Sequence, residues 1–134
     1  MLVVLDTNVL VSGLLNPKGP PGKILDLVMD NQIQVAYDDR LLGEYEEVLS
    51  RPELRFHPWR VKAVIDHIEL SGKYVTSTPF PTEGFPDPDD LMFAEVFITS
   101  EADALVTGNL KHFSPLVGRN LPVLSPARFL ETYY

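Results

Sequence analysis

Hydrophobic residues along this 134-residue chain fall into short blocks separated by turn chemistry, and the blocks alternate between two periods. Leu2-Val3-Val4-Leu5 is apolar without alternation, the pattern of a strand covered on both faces. Residues 9–15 are apolar at helical spacing and stop at Asn16-Pro17-Lys18-Gly19-Pro20-Pro21-Gly22, a loop whose prolines suit the start of another helix. From Lys23, the residues Ile24, Leu25, Leu27 and Val28 predict an amphipathic helix reaching Asp30, and residues 33–37 alternate as a short strand. Asp38 or Asp39 can cap a helix over residues 41–49, which Pro52 ends. A further helix is predicted over residues 59–70 from Val61, Val64, Ile65 and Ile68, and Ser71-Gly72 stops it.

Residues 73–76 read as a brief strand and 77–89 as a Pro-rich loop, followed by a helix over 90–100. Ala104-Leu105-Val106-Thr107 is a strand ending at Gly108-Asn109. Residues 121–124 suit an edge strand, because Pro122 cannot donate to a central ladder. Ser125-Pro126 opens a last helix over 127–132. Strands alternating with helices predict one α/β domain over residues 1–134, a parallel sheet with helices on both faces.

That architecture directs attention to the carboxyl ends of the strands, where open parallel sheets bind ligands. Asp6 stands there, with Thr7 and Asn8 able to fix its turn. It could equally serve only as the cap of the next helix. On the helix 41–49, Leu41, Leu42, Tyr45, Val48 and Leu49 form the apolar stripe, flanked by Glu44 on one side and Glu46 on the other. Periodicity does not choose between those two acids. Asp87-Pro88-Asp89-Asp90 places three acids within four residues, more than capping needs, and a divalent cation would relieve their repulsion. Thr107 and Asn109 end the second strong strand, where the Thr hydroxyl could hold a metal-bound water and the amide could orient a water or a carboxylate. His112 follows closely, and its simplest reading is a surface cap rather than a general base.

Composition adds mainly exclusions. No cysteine is present, which removes disulfide, thiolate and zinc–thiolate chemistry. No uncharged apolar run approaches a membrane span, and no basic leader precedes the first strand, so the expected location is the cytoplasm. The net charge of −8 argues against holding nucleic acid by phosphate neutralisation alone, and suits a site that holds cations.

In order, residues 3–12 (VVLDTNVLVS), 41–52 (LLGEYEEVLSRP), 87–90 (DPDD) and 102–109 (ADALVTGN) resemble the PIN-domain family, nearest its VapC-like toxin branch. The resemblance spans essentially the whole chain. It implies a PIN-like three-layer α/β/α sandwich around a central parallel sheet, and a ribonuclease dependent on Mg²⁺ or Mn²⁺. By position, Asp6, Glu44 and Asp90 match the family's acids, which resolves Glu44 over Glu46, with Asp87 in support. Asp6 and Asp90 would be the direct ligands, Glu44 would act through water, and Asn8 and Thr107 would fix the geometry around them. Asn109 stands where many members carry a fourth Asp, which weakens the case for a second tightly held ion.

The implied partners are single-stranded or looped RNA, a cognate antitoxin and a second copy of the chain, with no membrane. Lys23, Arg40, Arg51, Arg55, Arg60, Lys62 and Lys111 are the candidate phosphate contacts. The segment Phe56-His57-Pro58-Trp59 could be core, dimer contact or antitoxin contact, with core packing the default for Trp59. Two other functions compete: a catalytically silent PIN-like binding module, and a phosphohydrolase forming a phosphoaspartate. The second usually needs an acid two residues after the first, where Asn8 stands.

Overall fold

The computed structural model describes residues 1–134. Its five strands are β1 (Leu2–Leu5), β2 (Gln34–Tyr37), β3 (Lys73–Tyr74), β4 (Ala104–Val106) and β5 (Val123–Leu124). They form one parallel sheet in the order β3-β2-β1-β4-β5. The helices are α1 (Thr7–Leu15), α2 (Pro20–Met29), α3 (Asp39–Leu49), α4 (Pro58–Ser71), α5 (Leu91–Ser100), α6 (Ser114–Val117) and α7 (Pro126–Tyr133). Val3, Val4 and Leu5 are all fully buried although successive strand residues face opposite ways, so helices cover both faces of the sheet. This is the α/β/α sandwich expected from the sequence. No helix is long and apolar enough to cross a membrane.

The strand order positions the site. From β1 the chain moves outward through β2 to β3, then returns to the other side of β1 as β4. The crevice beyond the carboxyl ends of β1 and β4 is therefore the topological switch point, where such sheets bind ligands. Leu5 pairs with Val106, so the next residues, Asp6 and Thr107, leave the sheet side by side. The Asp6 amide donates to the Val106 carbonyl at 2.9 Å, extending the ladder to the acid itself.

Close packing fixes the helix that Asp6 precedes. A Cβ on Gly22 would fall 2.2 Å from the Pro17 carbonyl oxygen, and one on Gly13 would fall 2.9 Å from that of Pro21. Only glycine lets α2 pack this closely on α1 and on the loop that joins them. On α3 the fully buried residues are Leu41, Tyr45 and Leu49, while Leu42 and Val48 are half-buried, a narrower stripe than predicted.

Trp59 overturns its core assignment, being 64% exposed. It lies two residues from Val61, roughly 200° around a helix, and so faces away from the buried side of α4. Its ring stacks obliquely on His57, which caps α4 by accepting the Trp59 amide. The predicted edge strand holds: β5 pairs only with β4, and the Pro122 carbonyl accepts the Leu105 amide at 2.9 Å. A 3₁₀ turn at Leu110–Phe113 and the short α6 have no periodic signature and are not legible in the sequence.

Candidate active site

Asp6 is buried at the end of β1, 6% exposed. It occupies the N-cap position of α1, yet its side chain makes no capping hydrogen bond. The cap-only reading fails. Instead its Oδ2 accepts from the Thr107 hydroxyl at 2.7 Å and from the Asn8 Nδ2 at 3.2 Å. Asn8 Oδ1 in turn accepts the Gly108 amide at 3.1 Å. Two strand ends are thereby stitched around one carboxylate. Burial raises the Asp6 pKa above its ordinary value. The Thr107 hydroxyl and the neighbouring amides oppose that shift, and the nearby Glu44 adds to it.

The Thr107 hydroxyl, fully buried, also accepts the Asn109 amide at 3.0 Å. Its proton goes to Asp6 Oδ2. Asn109 meets this network through its backbone amide.

Glu44 reaches the same edge from α3, its Oε2 accepting from the Thr7 hydroxyl at 2.9 Å. Beneath them Tyr45 is fully buried and donates its hydroxyl to the Leu5 carbonyl, tying α3 to the end of β1. Burial and the facing acids Asp6 and Glu44 hold the Tyr45 phenol well above its ordinary pKa, and so protonated. Glu46 lies elsewhere, lining a groove of about 360 Å³ with Phe56, Pro58, Val61 and Ile65.

Asp90 enters at the last residue of a 3₁₀ turn, Pro88–Asp90, just before α5. Asp87 caps that turn by accepting the Asp89 amide at 2.9 Å, and Asp89 is exposed. Of the three clustered acids, only Asp90 turns inward. Its Oδ2 is buried and receives no aligned hydrogen bond. His112 Nδ1 lies 2.8 Å from that oxygen. Desolvation first, then the facing Asp6 and Asp87, raises the Asp90 pKa to about 6 against the opposing pull of His112.

The sequence reading underweighted His112. It sits on a turn anchored by the fully buried Phe113, and faces Asp90 rather than solvent alone. The other two histidines are committed to structure, His57 as a cap and His67 to the Val28 carbonyl at 2.8 Å. A His one residue before a core Phe, shortly after a strand end, is the signal that could have singled it out.

Arg40 corrects another expectation. It bonds Asp38 at 2.8 Å and Glu95 at 2.7 Å, both buried acids, which commits its Nε, Nη1 and Nη2 to the fold. Arg51 pairs with Glu47 and Lys62 with Asp66. Lys23, Arg55, Arg60 and Lys111 make no ion pair. A single Glu within the apolar α5 sequence LMFAEVFITS was the clue that a cation must reach it.

The donor set suits a hydrated divalent cation. Two carboxyls with raised pKa values face one another, Asp6 buried and Asp90 half-buried with an orphan oxygen, and Mg²⁺-like ions bind through one or two carboxylates while keeping water. No group of three or more His, Asp or Glu lies together so as to hold a metal ion by itself, so water would complete the shell. Beside the acids opens an uncharged cleft of about 460 Å³, lined by Asn8, Ser12, Pro20, Gly108 and Ser125 among others.

Known proteins share this framework. The family model described as PIN domain matches residues 2–111. An uncharacterized protein, MJ1680, of Methanocaldococcus jannaschii is 29% identical over 141 residues, spanning 98% of this chain and 90% of that protein. Among solved structures, VapBC2 from Rickettsia felis, bound to a DNA fragment from its promoter, superposes with a TM-score of 0.60. It is 19% identical, covering 93% of this chain and 98% of that one.

Proposed function

This chain belongs to the PIN domain family, and from that premise we propose that it is a divalent-metal-dependent endoribonuclease acting on single-stranded or looped RNA. The observation that carries this reading is the inward-facing pair Asp6 and Asp90, each raised in pKa by burial and by facing acids, at the switch point of the sheet. Asp6 and Asp90 would hold Mg²⁺ or Mn²⁺, and the bound ion would supply charge for the developing phosphorane and acidify a water. Thr107 and Asn8 keep the Asp6 carboxylate in one orientation through two hydrogen bonds, so it need not reorganise during reaction.

Glu44 is held by the Thr7 hydroxyl and keeps a second oxygen with which to accept a hydrogen bond from the attacking water. That water's oxygen bonds to phosphorus, the phosphorus bond to the leaving ribose oxygen breaks, and the leaving oxygen takes up a proton. The uncharged cleft at Asn8 and Gly108 offers a flanking nucleotide a place free of carboxylate repulsion. Single-stranded or looped RNA suits it because an unpaired backbone can bend into the crevice. Lys23, Arg55, Arg60 and Lys111 remain available for phosphates.

The likeness to the VapBC2 complex supports a toxin role with a cognate antitoxin as partner, and a cytoplasmic setting and a homodimer complete the proposal. The test is cleavage of a mixed RNA pool by purified protein with Mn²⁺ or Mg²⁺, beside Asp6→Asn and EDTA controls. Cleavage lost in both controls upholds the nuclease. A folded wild type no more active than Asp6→Asn across many RNAs and both metals points to a silent binding module.

A further inference from the structure

We propose that the RNA strand leaves the catalytic acids along a path over the first turn of α7, seating one unpaired nucleobase in the uncharged cleft at Asn8. This deepens the nuclease reading above and rests on it. The cleft starts from the catalytic network: it is lined by Asn8, which donates to Asp6, and by Gly108, whose amide donates to Asn8. Ser125, Pro126 and Ala127 form another of its walls. The Leu124 carbonyl accepts the Thr107 amide at 3.0 Å, so the turn that opens α7 stands beside the residue that orients Asp6. A second cleft, of about 410 Å³, shares Ser125 and Ala127 with the first and continues to Leu110 and Arg128. Together the two make one path away from the acids.

Charge and rigidity select the occupant. No residue lining the first cleft is charged, in a chain whose net charge is −8. The groove at Glu46 and Asp66 and the one at Asp38, Asp39 and Glu95 are lined with carboxylates, and their cations Lys62 and Arg40 are already paired. A phosphodiester backbone is repelled there and not here. Pro20, Pro21 and Pro126 give the first cleft walls of fixed backbone φ, and the fully buried Phe129 anchors α7. Such a slot is ordered before RNA arrives, and its volume of about 460 Å³ is that of a small-molecule site. Apolar walls accept the flat face of any base, so the cleft should take a nucleobase without reading its identity. In the second cleft Arg128 is exposed, and its ion pair with Glu131, at 3.5 Å, is the longest in the protein. Its guanidinium can therefore turn onto the next phosphate.

Photo-crosslinking of the full chain tests the path without reference to cleavage. A short oligouridylate carrying one thiouridine is bound in EDTA and irradiated, and the adduct is located by mass spectrometry. It should fall on residues of the two clefts. Ser12→Phe and Ala127→Phe, both at exposed positions, fill the first cleft and should each weaken binding of this oligonucleotide about tenfold. With cleavable RNA they should raise KM and leave kcat nearly unchanged. Arg128→Ala should reduce the salt slope of binding by about one. Ser50→Phe, in the groove at Glu46, should change none of these. Adducts confined to other surfaces, or folded cleft-filling variants that bind as wild type does, overturn the path, and retained cleavage then leaves the nuclease reading intact. Adducts in the clefts without cleavage in Mg²⁺ or Mn²⁺ uphold the path of the strand and overturn the nuclease. A chain that neither binds nor cleaves RNA overturns both.

Discussion

Two groups of buried and half-buried carboxylates stand near the carboxyl edge of this sheet, and they are resolved in opposite ways. Asp38 and Glu95 face one guanidinium, and their oxygens are occupied: Asp38 caps α3 and takes Arg40 and Ser77, while Glu95 takes Arg40 and the Phe80 amide. Asp6, Glu44 and Asp90 face no Arg or Lys, and Asp90 keeps a buried oxygen without an aligned donor. Residue type is alike in the two groups, and Asp6 is as deeply buried as Asp38 and Glu95, while Glu44 and Asp90 are half-buried. What separates them is whether the protein completes its own electrostatics, and the group it leaves incomplete is the one that a cation would finish.

The largest effect should come from breaking the incomplete group. Asp6→Asn or Asp90→Asn should cut RNA cleavage about 10²–10³-fold or more. The metal-free melting temperature should hold or rise, because a carboxylate facing other acids is removed. Parallel activity and thermal-melt measurements check this, and a large loss of stability in either variant would place these acids with the structural group. Arg40→Ala should invert the pattern. It leaves two buried acids without their counter-ion and should cost about 2–3 kcal/mol, less than for a fully buried pair because the guanidinium is half exposed. Denaturant unfolding reads the loss, and added Mg²⁺ should not restore it.

Acidity sharpens the comparison further. The Asp90 pKa lies near 6 in the folded protein, above its ordinary value of 3.8. Between those two values the folded state binds more protons at this group than the unfolded chain. Asp90 therefore favours folding below about 3.8, and that contribution is lost as pH rises toward about 6. Metal binding has the opposite sense, since a proton on Asp90 competes with the ion. Mn²⁺ affinity measured by calorimetry should fall about tenfold from pH 7 to pH 5, and Asp90→Asn should flatten that dependence. Tyr45→Phe is the mildest change. Losing the hydroxyl bond to the Leu5 carbonyl should cost about 1 kcal/mol and shift activity only modestly, since α3 remains packed.

Strands and long helices were legible because burial imposes periodicity. The apolar run 2–5, the alternation over 33–37 and the stripe at Leu41, Tyr45 and Leu49 all arise from which faces meet the core. Asp6 was legible by position, since a strand of that kind must be central and its end must be a crevice. The geometry around Asp90, Arg40 and His112 was not. Each depends on where a turn delivers a side chain across the fold, as Arg40 meets Glu95 fifty-five residues away. Trp59 misled for a related reason: large aromatic rings are usually buried, but Pro58 starts the helix at a phase that turns this one outward.

The hydrogen bond from Thr107 to Asp6 joins residues 101 positions apart, and the strand that delivers Thr107 is the fourth of five to be made. During synthesis β1 emerges early, while its neighbour β4 emerges last but one. A nascent chain that has not yet released residue 107 has the acid but nothing to orient it. The order of translation itself thus keeps the centre unassembled until nearly the whole domain exists.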